Sequence, residues 1–386
     1  MARKWIGLML VLVLLGCGRD DAQEKPTAAL EVRPGESIQA AVDAANPGET
    51  VLIHPGTYRP ARPGEAMIVF KAEKNGVTLR GAGQSPAEVV IDAGRQALHV
   101  IFFDQGIDRS TVVENLTITG GYAFPGKLLP SNYKPVLRPE IDTFDNDFYH
   151  DGAGLMLFLS SPTIRNCRII NNGAKRCGGG ISVFCPSEAA FPAQGPLIFG
   201  NEIRNNTVDE GTGGGVDVYF RAKADIVNNL FVGNKGWGGA VAVLDEGSAA
   251  LRFNTIAGNY GSVSGLAMHA TATVKLENTI FANNLDGAPV ELPGKIAYAN
   301  CCFWNNAEAW EPPASKGHIL ADPLFAKGPL GEYYLSHTSA GQAANSPCID
   351  AGSGPSSSEV SDRTTRSDGG KDAGNADIGY HYHRTP

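Results

Sequence analysis

Short runs in which apolar residues alternate with small or polar ones, each led by glycine, recur through the middle of the chain. They read Gly152-Ala-Gly-Leu-Met-Leu157, Gly178-Gly-Gly-Ile-Ser-Val183, Gly213-Gly-Gly-Val-Asp-Val218, Gly238-Gly-Ala-Val-Ala-Val243 and Gly265-Leu-Ala-Met268. A period of two is that of a strand with one buried face, and the leading glycine lets the chain turn with positive φ. The pattern predicts Leu155, Leu157, Ile181, Val183, Val216, Val218, Val241, Val243, Leu266 and Met268 inside. Met156 and Phe158, Ser182 and Phe184, Asp217 and Tyr219, Ala242 and Leu244, and Ala267 and His269 then point outward.

A second pattern is written in asparagine. Ile164-Arg-Asn166, Phe199-Gly-Asn201, Val227-Asn-Asn229, Arg252-Phe-Asn254, Leu276-Glu-Asn278 and Tyr298-Ala-Asn300 form one column. Five residues after each comes another, at Asn171, Asn206, Asn234, Asn259, Asn283 and Asn305. The first column advances by 35, 28, 25, 24 and 22 residues, a drifting period that marks a solenoid. Strands stacked ~4.8 Å apart would place these amides above one another, each able to donate and accept along the column. At the front, Ser37 can cap a short helix whose Ile38, Ala41, Val42 and Ala45 share a face. That face would cover the open strand edges of the first coil.

With the opening segment at residues 37–58 and the closing segments Ala321-Asp-Pro-Leu-Phe325, Ser346-Pro-Cys-Ile-Asp-Ala-Gly352 and Asp377-Ile-Gly-Tyr-His-Tyr382, these repeats resemble the pectin-lyase-like superfamily. The resemblance implies an all-β fold, a single-stranded right-handed parallel β-helix with a short N-terminal capping helix. It would occupy residues 34–350, with a C-terminal tail or cap at 351–386. It also implies a polysaccharide partner, acidic in the lyases, and a lyase or glycoside hydrolase activity. The chain lacks the Asn-Thr-Asp, Gly-His-Gly and Arg-Ile-Lys segments of polygalacturonase-like members and the Trp-Ile-Asp-His segment of the pectate-lyase kind. The alternative is a non-enzymatic scaffold or adhesin that displays loops to glycan or protein partners.

Composition narrows the classes further. The 47 glycines in 386 residues follow no three-residue period, which excludes collagen. A net charge of −8 argues against nucleic acid as a partner. The bulk charge also repels a polyanion, so an acidic glycan would need local Lys and Arg or a bridging Ca²⁺. Residues 1–16 have a basic start and an apolar run too short to span a bilayer, as in a secretory signal. Leu14-Leu15-Gly16-Cys17 resembles the bacterial lipoprotein box. That resemblance implies acylation of Cys17, a tether over residues 17–33 and a place at the outer membrane, the cell surface or the periplasm.

Candidate chemistry clusters where the repeat is interrupted, chiefly by a long insertion at residues 122–150. Phe158, Phe184 and Tyr219 would form an outward aromatic stripe on which sugar rings could lie, with His269 beside it. The same insertion could instead pack onto that stripe. His150 next to Asp151, together with Arg176 and Asp217, are the candidates for acid–base work or for gripping a carboxylate. Asp142, Asp145 and Asp147 could supply oxygens to Ca²⁺. Six cysteines beyond Cys17 permit three bridges, in any of 15 pairings.

Overall fold

A computed structural model describes residues 29–130, 133–138, 147–186, 190–291, 293–308, 310, 317–355 and 359–384. The leader, Cys17, Asp142 and Asp145 lie outside these residues, as does the side chain of Asp147.

The chain winds as a parallel β-helix with three long sheets. The first has ten strands, from Leu30–Val32 to Lys295–Ala299; the second has nine, from Gly56–Tyr58 to Cys302–Trp304. The third has eight, from Gly64–Phe70 to Ala288–Val290. One coil visits each in turn, as Lys223–Val227, Leu230–Val232 and Val241–Val243 do. All ten residues expected to point inward are fully buried in one continuous core. In the glycine-led turns, Gly152, Gly178 and Gly213 take positive φ. The third glycine of the triplet is needed for closeness instead: a Cβ on Gly180 would stand 2.5 Å from the Gly215 carbonyl oxygen.

The corners explain the asparagines. Each corner between the first and second sheets is a dipeptide whose first residue is left-handed: Asn166, Gly200, Asn228, Phe253, Asn278 and Asn300. Its second residue points inward and stacks on the same residue of the next coil. Asn229 Nδ2 donates to Ile198 O at 2.8 Å and to Asn254 Oδ1 at 3.2 Å. Its Oδ1 accepts the backbone N–H of Asn201 at 3.0 Å. The following corner repeats the scheme through Asn172, Asn206, Asn234, Asn259, Asn284 and Asn306. The columns read from sequence therefore slip by one residue in places. Asn166, Asn278 and Asn300 sit at the left-handed site, where Asn pays a smaller steric penalty than most residues, and Cys167, Thr279 and Cys301 are the rungs. In the second column Asn171, Asn283 and Asn305 are displaced likewise.

The cap is as expected. Helix Ile38–Ala44 is capped by Ser37, whose hydroxyl accepts from Ala40 N at 3.2 Å, and it buries Ile38 and Val42 over the first coil. Among the described residues the last coil strand ends at Trp304, and the chain then folds a hairpin, Phe325–Gly328 with Gly331–Leu335, before running back along the outside. This strap reads the left-handed corners in reverse order. Ala351 O accepts from Asn300 Nδ2, Ser353 N donates to Asn278 Oδ1, and His381 exchanges two hydrogen bonds with Asn228. Phe253, the aromatic residue at that site, packs instead on Val360 and Ala376.

Asn229→Ala should cost about 2–3 kcal/mol, because the Asn201 amide would be left buried without its acceptor and the Ile198 carbonyl would lose one donor. Asn305→Ala, at a left-handed corner near the end, should cost about 1 kcal/mol. Denaturant unfolding of the two variants checks the ordering.

Candidate functional site

The outward side of the third sheet is not open. The insertion at 122–150 packs onto it, so that Leu129, Phe148 and Tyr149 join Leu98, Phe102, Met156, Phe158 and Phe184 in a second core. Ring centroids run Phe148 to Phe158 at 5.7 Å, Phe158 to Phe184 at 5.7 Å and Phe184 to Tyr219 at 5.8 Å. Phe158 and Phe184 are 3% and 5% exposed, so the expected sugar-stacking stripe is corrected: its rings stack on protein. The Arg138 guanidinium lies 4.2 Å from the centre of the Phe158 ring and pairs with Asp104. Tyr219, half-buried, ends the row.

Beyond Tyr219 the same face holds a buried acid–thiol cluster. Asp151 and Asp217, far apart in sequence, are brought together by coil stacking, on either side of the coil that carries Cys177. Asp151 Oδ1 accepts the backbone N–H of Cys177 at 2.9 Å, and Thr212 Oγ1 donates to Asp217 Oδ1 at 3.0 Å. The Cys177 sulfur lies 3.4 Å from that hydroxyl. Burial pushes the Asp217 pKa up to about 8, and the Asp245 charge adds to it. Burial, then the Asp217 charge, holds the Asp151 pKa well above the ordinary carboxylate range. At neutral pH Asp217 is therefore an acid that carries its proton. Neither carboxyl reaches solvent, at 1% and 0% exposure.

The other candidates lie around this cluster. The His150 carbonyl accepts the N–H groups of Lys175 and Arg176, and the Arg176 charge acts on Tyr219. His269 Nδ1 stands 2.9 Å from Asp245 Oδ1 at the rim. The structure thus brings Asp151, Arg176 and Asp217 to one neighbourhood and adds Cys177 and Thr212, which sequence reading did not select. Nothing local marks those two, since they meet only through coil stacking. Among the described residues no group of His, Cys, Asp and Glu is arranged to hold a metal ion.

An open site lies elsewhere, on the outer face of the first sheet. Here a trough of about 520 Å³ is lined by Arg109, Lys223, Asp225, Ser248, Ala250, Thr273 and Lys275, with Gln194 and Gly195 on its bank. Period-two alternation positions these side chains: Ala224, Ala249 and Val274 point into the core, and their neighbours point out. Strand register sets them in rows along the axis, Lys223–Ser248–Thr273–Lys295 and Asp225–Ala250–Lys275. Small residues make the floor and cations stand at the edges. Arg109 Nε donates to Gly195 O at 2.7 Å and its Nη2 to Asp225 at 2.5 Å, fastening the bank to the floor. Lys223 Nζ donates to Ala193 O at 3.2 Å, and Lys275 Nζ lies 3.1 Å from Glu277. Three cations to one carboxylate line the trough, the reverse of the chain's overall balance.

The family model described as right handed beta helix region matches residues 105–236 and 198–318. No curated protein matches the chain in sequence. Among solved structures, the pectate lyase Pel9A is similar with a TM-score of 0.50 at 16% identity, over 92% of this chain and 96% of that one. A pectate lyase from Xanthomonas campestris gives 0.38 at 15%, over 77% and 81%. XylC in complex with xylose gives 0.43 at 13%, over 74% and 50%.

Asp217→Asn should remove a pH dependence of stability. An acid whose folded pKa is raised stabilises fully below its unfolded value near 4 and loses that contribution as pH rises through about 8. The variant should match the wild type in Tm at pH 4 and exceed it by several degrees at pH 9. Thermal melts across that range check it.

Proposed function

We propose a function for this chain from the premise of its family: it belongs to the right-handed β-helix proteins, and it binds an acidic polysaccharide along the trough of the first sheet. One observation carries the reading. A face built from Ser248, Ala250 and Thr273 is shallow enough for a polymer to lie on, and Arg109, Lys223 and Lys275 place positive charge along it in a net-negative protein. In-register stacking makes the array linear, at ~4.8 Å per strand, which suits a chain of repeating carboxylates better than a compact ligand. Lys295, in register beyond Thr273, prolongs the array. Pel9A shares this fold, and the pectate in its name is such a polyanion. The buried Phe158, Phe184, Asp151 and Asp217 take no part in this contact.

Lys223 and Lys275 are exposed, so replacing them leaves the core intact. The double variant Lys223→Glu with Lys275→Glu should bind immobilised polygalacturonate at least about ten-fold more weakly, and wild-type retention should fall as salt screens the exposed charges. Retention unchanged by both the substitutions and salt would contradict the reading.

A further inference from the structure

Cys301 and Cys302 are neighbours at the end of the last coil, and strand geometry sends them to opposite faces. Cys301 lies in the interior core, its sulfur 3.3 Å from Ala299 O. Cys302 points outward into a separate apolar cluster with Ile280, Ala282, Leu335, Cys348 and Ile378, which joins the last coils to the hairpin and strap. Cys302 and Cys348 are both fully buried there, within one cluster of six side chains, and Cys302 Sγ lies 3.4 Å from Ala321 O. Cys348 is held by its neighbours: its N–H donates to Ser346 Oγ at 3.1 Å and its carbonyl accepts from Ile378 at 2.9 Å.

The remaining cysteines have other surroundings. Cys167 and Cys301 occupy the same rung five coils apart, ~24 Å by strand spacing and far beyond bridging reach. Cys177 faces Thr212 in the acid cluster, and Cys185 Sγ lies 3.4 Å from Pro186 O. Of the 15 sets of pairings open to the sequence, the fold favours those that contain one particular bond.

We propose that Cys302 and Cys348 form a disulfide that fastens the C-terminal strap to the last coil. The step is exchange with a small disulfide. Both Sγ–H bonds break and one Sγ–Sγ bond forms, while the reagent's sulfur–sulfur bond is reduced to two thiols that take up the two protons. In the docked state the neighbouring Cys348 side chain and burial raise the Cys302 pKa, which disfavours the attacking thiolate. Exchange therefore proceeds when the strap lifts, and docking then shields the bond from reductant. The strap supplies partners to Asn228, Asn278 and Asn300, so the bond secures three outer corners at once. The inference is independent of the polysaccharide reading.

The full-length protein is incubated with oxidised glutathione, in mild denaturant that leaves the far-UV spectrum intact, until its thiol count stops falling. Remaining thiols are then alkylated and peptides mapped. The expected result is one cross-linked pair containing Cys302 and Cys348, with Cys167, Cys177, Cys185 and Cys301 alkylated. Recovery of Cys302 and Cys348 as alkylated residues or separate glutathione adducts would overturn the proposal, and so would a bond from either to another cysteine. A second readout uses Cys348→Ser: reductant should lower the Tm of the oxidised wild type and leave the variant unchanged. An equal reductant effect on both would also count against the bond.

Discussion

A parallel β-helix has to turn its chain inside its own core, and the amide at each turn must find a partner there. A backbone N–H buried at a corner cannot reach water, and an unpaired one costs about 1–3 kcal/mol. Here the partner is the side-chain oxygen of the corner residue one coil further on. Cys167 N donates to Asn201 Oδ1, Asn201 N to Asn229 Oδ1, and Asn229 N to Asn254 Oδ1, at 2.9, 3.0 and 2.9 Å. The asparagine side chain behaves as a length of backbone, with an acceptor facing one coil and a donor facing the other. It carries the sheet ladder around the bend without interruption.

That constraint decides where chemistry can be placed. With the interior filled by aliphatic side chains and closed by amide rungs, only outward faces and loops remain available. Two of the three outward faces have been used differently. On the third sheet the outer residues are large or acidic, and the insertion seals them into a second apolar layer beside an acid–thiol cluster. On the first sheet the outer residues are small or charged and remain accessible as a trough. The strap takes a third position, satisfying the outward amides of the left-handed corners that the rungs do not use.

The strand alternation made the core legible: the ten residues assigned inward by period two are all buried, since that period depends only on local backbone geometry. The asparagine columns revealed the solenoid but not which of two adjacent corner positions each residue fills. Asn serves both, as a left-handed residue at Asn278 and as a rung at Asn254, so residue type alone cannot separate them. The aromatic stripe failed for another reason. Phe158 and Phe184 do point out of the prism, but what lies over them depends on the path of an insertion that has no repeat to guide it. The trough went unread because Lys223, Asp225, Ser248 and Lys275 carry no motif, and register across coils assembles them. The cluster that holds Cys302 and Cys348 spans the return of the strap, which no periodicity encodes.

Native-state hydrogen exchange tests the central claim most directly, because a side-chain carbonyl that completes the ladder must protect the amide it receives. The backbone N–H groups of Cys167, Asn201, Asn229 and Asn234 should exchange as slowly as strand-interior amides such as those of Ile198 and Ile226, opening only on global unfolding. Exchange of these corner amides at the rate of the exposed turns would show that the rungs do not hold the coils in register, and the account would fail there.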